Sequence, residues 1–224
     1  MQGLQRSMIP CYQFKPRNIM LRESLNVDYV TNTVFSSRTY WLTEKNKNDI
    51  WLVDCGDIEK IVKKLPKNST IVGVLLTHVH FDHIYGLNQL MCLFPDCKVY
   101  TNDFGQKSLT DPKRNFSRYH TDVEDFVFEY PESIVVIGEG EKIELYEGVY
   151  ADVFYTPGHD ESCLCYEVGE SLFSGDAYIP SIKTVTTFPH SSKKKALESD
   201  LRISSMARGR TIYPGHTIEI MKKN

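Results

Sequence analysis

Six consecutive residues, His78-Val79-His80-Phe81-Asp82-His83, place three imidazoles and a carboxylate on one short stretch of backbone. The run before them, Ile71 to Leu76, is almost continuously apolar, which reads as a strand buried on both faces. After them Ile84, Leu87, Leu90, Met91 and Phe94 recur at helical spacing, and Pro95 marks the exit. The cluster is therefore expected on a loop between a buried strand and a helix. Polar groups crowded against a core in this way are costly unless a divalent cation draws them together. Neutral imidazole nitrogen and carboxylate oxygen are good donors for zinc and its neighbours. The fold must then bring more donors to the same loop.

Three further donors share one local setting. His159 follows Thr156-Pro157-Gly158, Asp176 follows Ser174-Gly175, and His216 follows Tyr213-Pro214-Gly215. Each stands just past a strand-like run, beside a glycine that allows a tight turn. Donors at successive strand ends suit a site built at one edge of stacked sheets. His120 and His190 lack this setting and read as ordinary loop histidines. Asp54 and Asp57, on either side of Cys55-Gly56, read as structural or supporting residues.

The rest of the chain alternates short strands with helices. Thr39 to Leu42 and Asp49 to Asp54 suggest a hairpin around the polar turn Glu44 to Asn48. Asp57 to Leu65 has helical spacing and stops at Pro66. Lys98 to Tyr100 reads as a short strand. From Ile134 onward come five short β runs: 134–137, 142–145, 151–155, 163–168 and 171–174. A helix over Ser191 to Met206 and a last strand over Arg210 to Tyr213 complete the pattern. Residues 103–131 are polar and aromatic, without a strand pattern, and are expected to form a helical cover over the site. Loops 32–37 and 178–190 and this segment would supply the walls. Lys107, Lys113, Arg114 and Arg118 either attract an anionic substrate or lie on a solvated face. The expectation is a single domain over 1–224, with sheets packed face to face and helices outside.

Hydrophobic residues form 41% and charged residues 25% of the 224, enough apolar material for a sizeable core. A net charge of −3 gives no global field for nucleic acid or an anionic membrane. No stretch is long and apolar enough to span a bilayer, and Met1 to Pro10 shows no apolar export signal, so a cytoplasmic protein is expected. In that setting the six cysteines are expected to be reduced. Cys163 and Cys165 share one face of a strand and read as buried structural thiols.

The order H-x-H-x-D-H, T-P-G-H, G-D, P-G-H, running from about Asn32 to His216, resembles the metallo-β-lactamase-fold hydrolase superfamily. Val53-Asp54-Cys55-Gly56 is similar to that family's early V-D-x-G strand end. The resemblance implies an α+β fold, a four-layer αβ/βα sandwich, with metals at one edge of two sheets. It implies that His78, His80 and His159 hold one ion, that Asp82, His83 and His216 hold a second, and that Asp176 bridges them. Asp82 would also steer a proton of the attacking hydroxide. The implied cofactors are two divalent ions, zinc first, with iron or manganese as alternatives. Within the superfamily the small glyoxalase II-like (hydroxyacylglutathione hydrolase-like) members fit best, partly on Leu109 to Ser117. Only eight residues follow His216, so the C-terminal helical domain of full-length glyoxalase II is not expected. The implied reaction is hydrolysis of a thioester or other small ester, with a small-molecule substrate and neither nucleic acid nor membrane as partner. A lactonase, aided by Tyr178, or a mononuclear iron persulfide dioxygenase are the enzymatic alternatives. A degenerate binding module is the non-enzymatic one, although such a module should have lost donors and all seven are present.

Overall fold

Side chains on successive strand residues point to opposite faces, and the strands here use this to serve two cores at once. In the strand Asp49–Val53, Ile50 and Leu52 face one apolar cluster while Trp51 and Val53 face another. In Leu164–Val168, Leu164, Tyr166 and Val168 face the second cluster, whereas Cys165, with Cys163 just before the strand, faces a third. Three apolar layers of this kind separate four layers of secondary structure.

The structure, a computed structural model, describes residues 25–217. Sheet A holds β1 (Leu25–Thr31), β2 (Arg38–Glu44), β3 (Asp49–Val53), β4 (Thr70–Leu75), β5 (Lys98–Thr101) and β6 (Ile134–Val136) in that spatial order. The first three strands are antiparallel, and β3 through β6 are parallel. Sheet B runs β11 (Thr211–Pro214), β10 (Ser171–Gly175), β9 (Leu164–Val168), β8 (Val149–Tyr155), β7 (Lys142–Tyr146). Helices α1 (Ile58–Val62), α2 (Phe81–Ile84) and α3 (Leu87–Leu93) cover sheet A through Ile58, Ile61, Ile84, Leu87, Leu90 and Met91. Helix α5 (Lys193–Met206) covers sheet B through Ile203, which packs with Cys163, Cys165 and Leu172. Its start is set by Ser192, whose Oγ accepts from Lys195 N at 3.3 Å. The α+β sandwich expected from the sequence is the fold observed.

Three details differ from the sequence expectation. The edge strand β1 was not foreseen: only Val30 of its seven residues is fully buried, so its alternation is faint. The stripe after His83 is two helices, with Asp82 and His83 inside α2 rather than on a loop. The segment 103–131 is not a helical cover. After α4 (Asp103–Leu109) it holds only a 3₁₀ turn at Ser117–Tyr119 and one beginning at Pro131. Pro112 interrupts it, and side chains satisfy the backbone instead of a helix ladder. Buried Asn115 donates to Ser108 O and Phe126 O, and Ser117 Oγ accepts from Phe126 N at 2.9 Å.

The five cysteines among the described residues are free thiols. Burial pushes Cys163 well up and Cys165 up to about 12, so both stay protonated, as structural thiols should. Cys11 lies outside the described residues. Among the described residues no helix is long and apolar enough to cross a membrane.

Candidate metal centre

Four strands deliver the donors from their C-terminal ends. His78 follows β4, His159 follows β8, Asp176 follows β10 and His216 follows β11, while α2 carries Asp82 and His83. The structure brings all seven residues together. Ligand atoms of His78, His80 and His159 lie within 4.8 Å of one another, as do those of Asp82, His83 and His216, and those of His78, His83 and Asp176. Asp176 stands between the groups. Its Oδ2 is 3.4 Å from His216 Nε2 and 3.7 Å from His159 Nε2, and its Oδ1 is 3.7 Å from His83 Nε2.

Hydrogen bonds outside the cluster decide which ring nitrogen His159 and His83 turn inward. A neutral imidazole carries one hydrogen, and the other nitrogen keeps a lone pair. His159 Nδ1 donates to Val185 O at 3.0 Å, so its Nε2 lone pair faces the cluster. His83 Nδ1 lies 2.8 Å from Asp54 Oδ2, which again turns Nε2 inward. His80 Nε2 points toward Asp160 Oδ2 at 3.8 Å, leaving Nδ1 to face His159 Nε2 at 3.0 Å. At 3.8 Å, His80 Nε2 and Asp160 Oδ2 are both buried without a hydrogen-bond partner. His78 Nε2 and Asp176 Oδ1 are buried without a hydrogen-bond partner. Unpaired buried polar atoms are unfavourable alone and favourable around a cation. The donor set fits divalent metal.

The electrostatics divide the cluster. Burial lowers His78 well below the usual imidazole range, and burial with the nearby His80 brings His159 to about 4, so both are neutral donors. On the other side burial opposes charge on His83, but the carboxylates of Asp82 and Asp54 outweigh it and raise the ring well above its ordinary value. His216 is raised by Asp176 and Asp82 against the same burial. Burial also opposes charge on Asp82, yet His83 and His216 hold it well below the carboxylate range. Buried carboxylates here demand positive charge, which protons or a cation can supply.

Glycines admit the packing at two of the turns. A Cβ on Gly215 would run into Asp176 Oδ1 and the His83 ring, so this glycine keeps the donors close. A Cβ on Gly158, at φ 139°, would strike Ala196 of α5. Gly158 thus makes room for the helix rather than for a substrate.

Residues that sequence reasoning passed over also matter. Asp160 is fully buried and anchored by Ser162 N at 2.8 Å, yet in sequence it is one more acid in a turn. His120 lines the cavity beside the cluster and packs against Phe35 and Phe81 at 4.9 and 5.6 Å between ring centres. The cavity measures about 610 Å³. Loop 32–37 contributes Phe35, segment 103–131 contributes Phe116 and Tyr119, and loop 178–190 contributes Val185 and Phe188. Lys107, Lys113, Arg114 and Arg118 do not line it; Lys107 and Arg118 pair with Asp103 and Asp125. Tyr178 lines a different cavity, between residues 178–186 and α5.

Comparison with known proteins gives the following. A family model described as the metallo-beta-lactamase superfamily matches residues 33–216. A hydroxyacylglutathione hydrolase of Hydrogenovibrio crunogenus is 26% identical over 148 residues, 64% of this chain and 46% of the relative. One from Pseudoalteromonas translucida is 29% identical over 146 residues, 63% of this chain and 47% of the relative. The chain thus spans about half the length of these curated relatives. An uncharacterized protein of Mycobacterium bovis is 27% identical over 190 residues, covering 79% of this chain and 84% of the relative. Among solved structures, the B3 metallo-beta-lactamase BLEG-1 superposes with a TM-score of 0.74 at 23% identity, over 85% of this chain and 91% of that one. ETHE1 from Myxococcus xanthus gives 0.66 at 18%, over 87% and 76%. These structural likenesses concern the fold.

Proposed function

This chain belongs to the metallo-beta-lactamase superfamily, and on that premise we propose that it is a metal-dependent hydrolase acting on a thioester or other small ester. The observation that carries the proposal is the convergence of ligand atoms of His78, His80 and His159, and of Asp82, His83 and His216, within 4.8 Å of one another, with His78 Nε2 buried and unpaired. The thioester class is supported by the curated relatives named hydroxyacylglutathione hydrolase.

In this reading His78, His80 and His159 hold one cation, Asp82, His83 and His216 hold a second, and Asp176 is shared. Zinc suits the nitrogen-rich set best, with iron and manganese as the other metals these donors accept. A pair of such ions lowers the pKa of water toward neutrality and polarises a carbonyl. The protein's own side chains do the remaining work. Asp82, at the cavity wall with Oδ2 turned to His83 and His216, orients the proton of the attacking water. Asp54 and Val185 O fix the rings of His83 and His159, so no donor has to reorient during turnover. Phe116 and Phe188 cover His80 and restrict the water that reaches the donors. A cavity of about 610 Å³ suits a small-molecule substrate.

The test is elemental analysis of the purified full chain, followed by a panel of thioester, lactone and phosphodiester substrates. Two equivalents of divalent metal and thioester or ester turnover are expected. A chain that takes up no zinc, iron or manganese after loading overturns the proposal. A single iron with oxygen consumption would replace hydrolysis by oxidation.

A further inference from the structure

The cavity that opens on the donor cluster is walled by aromatic rings from three separate loops. Phe35, Tyr119 and Phe188 are 53%, 62% and 41% exposed, so much of their ring surface faces water around one opening. Isolated exposed apolar residues are ordinary, but several around one cavity mouth mark a binding surface. Phe116 lies deeper: its ring centre is 4.7 Å from that of His80 and 5.4 Å from that of Phe188. Phe188 in turn lies 5.4 Å from His80 and 5.7 Å from His159. Phe116 and Phe188 thus both pack on His80, which lines the cavity.

The backbone is strained to present two of these rings. Phe35 has φ 48° and Phe116 has φ 65°, in the left-handed region that a residue with a Cβ seldom enters. Such strain is kept where the surrounding structure imposes it, and it concentrates at functional sites. At position 116 it is held from both sides: Asn115 is locked to Ser108 O and Phe126 O, and Ser117 N donates to Asn115 Oδ1.

The charge pattern narrows the ligand. Among the described residues lining the cavity there is no lysine or arginine. Of the cations of the 103–131 segment, Lys107 pairs with Asp103, Arg118 with Asp125 and Arg114 lies near Asp111, and Lys113 does not line the cavity. A carboxylate-bearing moiety would find no lysine or arginine on these walls, whereas an apolar group would find aromatic faces beside the histidines.

We infer that Phe35, Phe116, Tyr119 and Phe188 form a clamp for the acyl group, and that the substrates are thioesters or esters whose acyl group is uncharged and apolar, either aromatic or an alkyl chain of several carbons. The inference rests on the hydrolase reading for the bond that is cut, and on the wall alone for the group that is bound.

Binding separates the two. Neutral primary amides of increasing alkyl length serve as probes for the acyl side, and N-alkylacetamides of matching length for the leaving-group side. Both are titrated by calorimetry into the metal-loaded full chain, while thioester turnover is followed separately. Affinity for the primary amides is expected to rise about fourfold per added methylene, the transfer free energy of one CH₂. In Phe188→Ala, whose ring is largely exposed, the rise is expected to fall below about twofold per methylene on the same transfer scale. Affinity independent of length, a gain confined to the N-alkylacetamides, or an unchanged slope in Phe188→Ala would each overturn the clamp. Thioester turnover with flat amide affinity sinks the clamp alone. A rising affinity without turnover of any ester or thioester sinks the hydrolase reading and leaves the clamp standing.

Discussion

Asp54 Oδ2 sits 2.8 Å from His83 Nδ1, and both side chains are buried. Asp54 is itself held in a left-handed backbone conformation at φ 61° and accepts from Thr77 N at 2.8 Å, one residue before His78. One carboxylate therefore ties the start of the donor cluster to the orientation of its last histidine. Burial raises Asp54, with His83 lowering it in opposition, as expected of a buried group stabilised by its partner. Replacing it by asparagine keeps the shape but removes the charge that fixes the ring. In Asp54→Asn we expect the affinity for one of two metal ions to fall about 10–100-fold. Chelator competition measures this, and circular dichroism checks that the fold survives. Unchanged affinity for both ions would remove the positioning role.

Asp176 is the residue whose oxygens approach both groups of donors. Asp176→Ala is expected to lower the metal content from two equivalents toward one, with the protein still folded, because each group keeps three other donors. Elemental analysis after dialysis reads the stoichiometry. Two ions retained through dialysis would show that the carboxylate is not shared.

Gly215 and Gly158 look alike in sequence, each preceding a histidine after a proline, yet alanine should affect them differently. In Gly215→Ala the new methyl meets Asp176 and His83, so the expected loss is metal affinity and activity more than melting temperature. In Gly158→Ala it meets the backbone of α5, at a φ that alanine resists, and roughly 1–3 kcal/mol of stability should be lost. Thermal unfolding beside metal content separates the two. Similar profiles for both variants would contradict the packing described.

Arg202 of α5 forms a two-pronged pair with Glu139, with Nη1 3.0 Å from Oε2, and Glu139 Oε2 also accepts from Tyr155 N at 2.7 Å. Arg202 holds Glu139 below its ordinary value. A depressed carboxylate adds stability above its unfolded pKa, and that stability is lost as pH falls through the folded value. The pair is half exposed, so Arg202→Ala should cost about 0.5–1 kcal/mol at neutral pH. The difference from wild type should shrink as pH falls below the ordinary carboxylate range and through the lowered folded value, where the carboxylate becomes protonated in both states. Urea unfolding at pH 7 and at pH 3 provides the comparison. A cost that is equal at both would assign it to the lost stacking of Arg202 on Phe154 instead.

What the sequence determined was whatever short-range order can encode. The apolar run 71–76 and the H-x-H-x-D-H that follows specify a buried strand delivering donors at its end, because both signals fit within a dozen residues. His159, Asp176 and His216 were legible for the same reason, each carrying a glycine turn after a strand. The edge strand β1 was not, since an edge exposes both faces and blurs the alternation. Only the tertiary structure decided which nitrogen His83 and His159 turn inward, because Asp54 and Val185 O act across 29 and 26 residues of chain. It also decided the cavity wall. Phe35, Phe116 and Phe188 have no common spacing, and loop backbones bent into unusual conformations bring their rings together. Local pattern names the groups that can bind; packing between distant segments sets where they point and what they exclude.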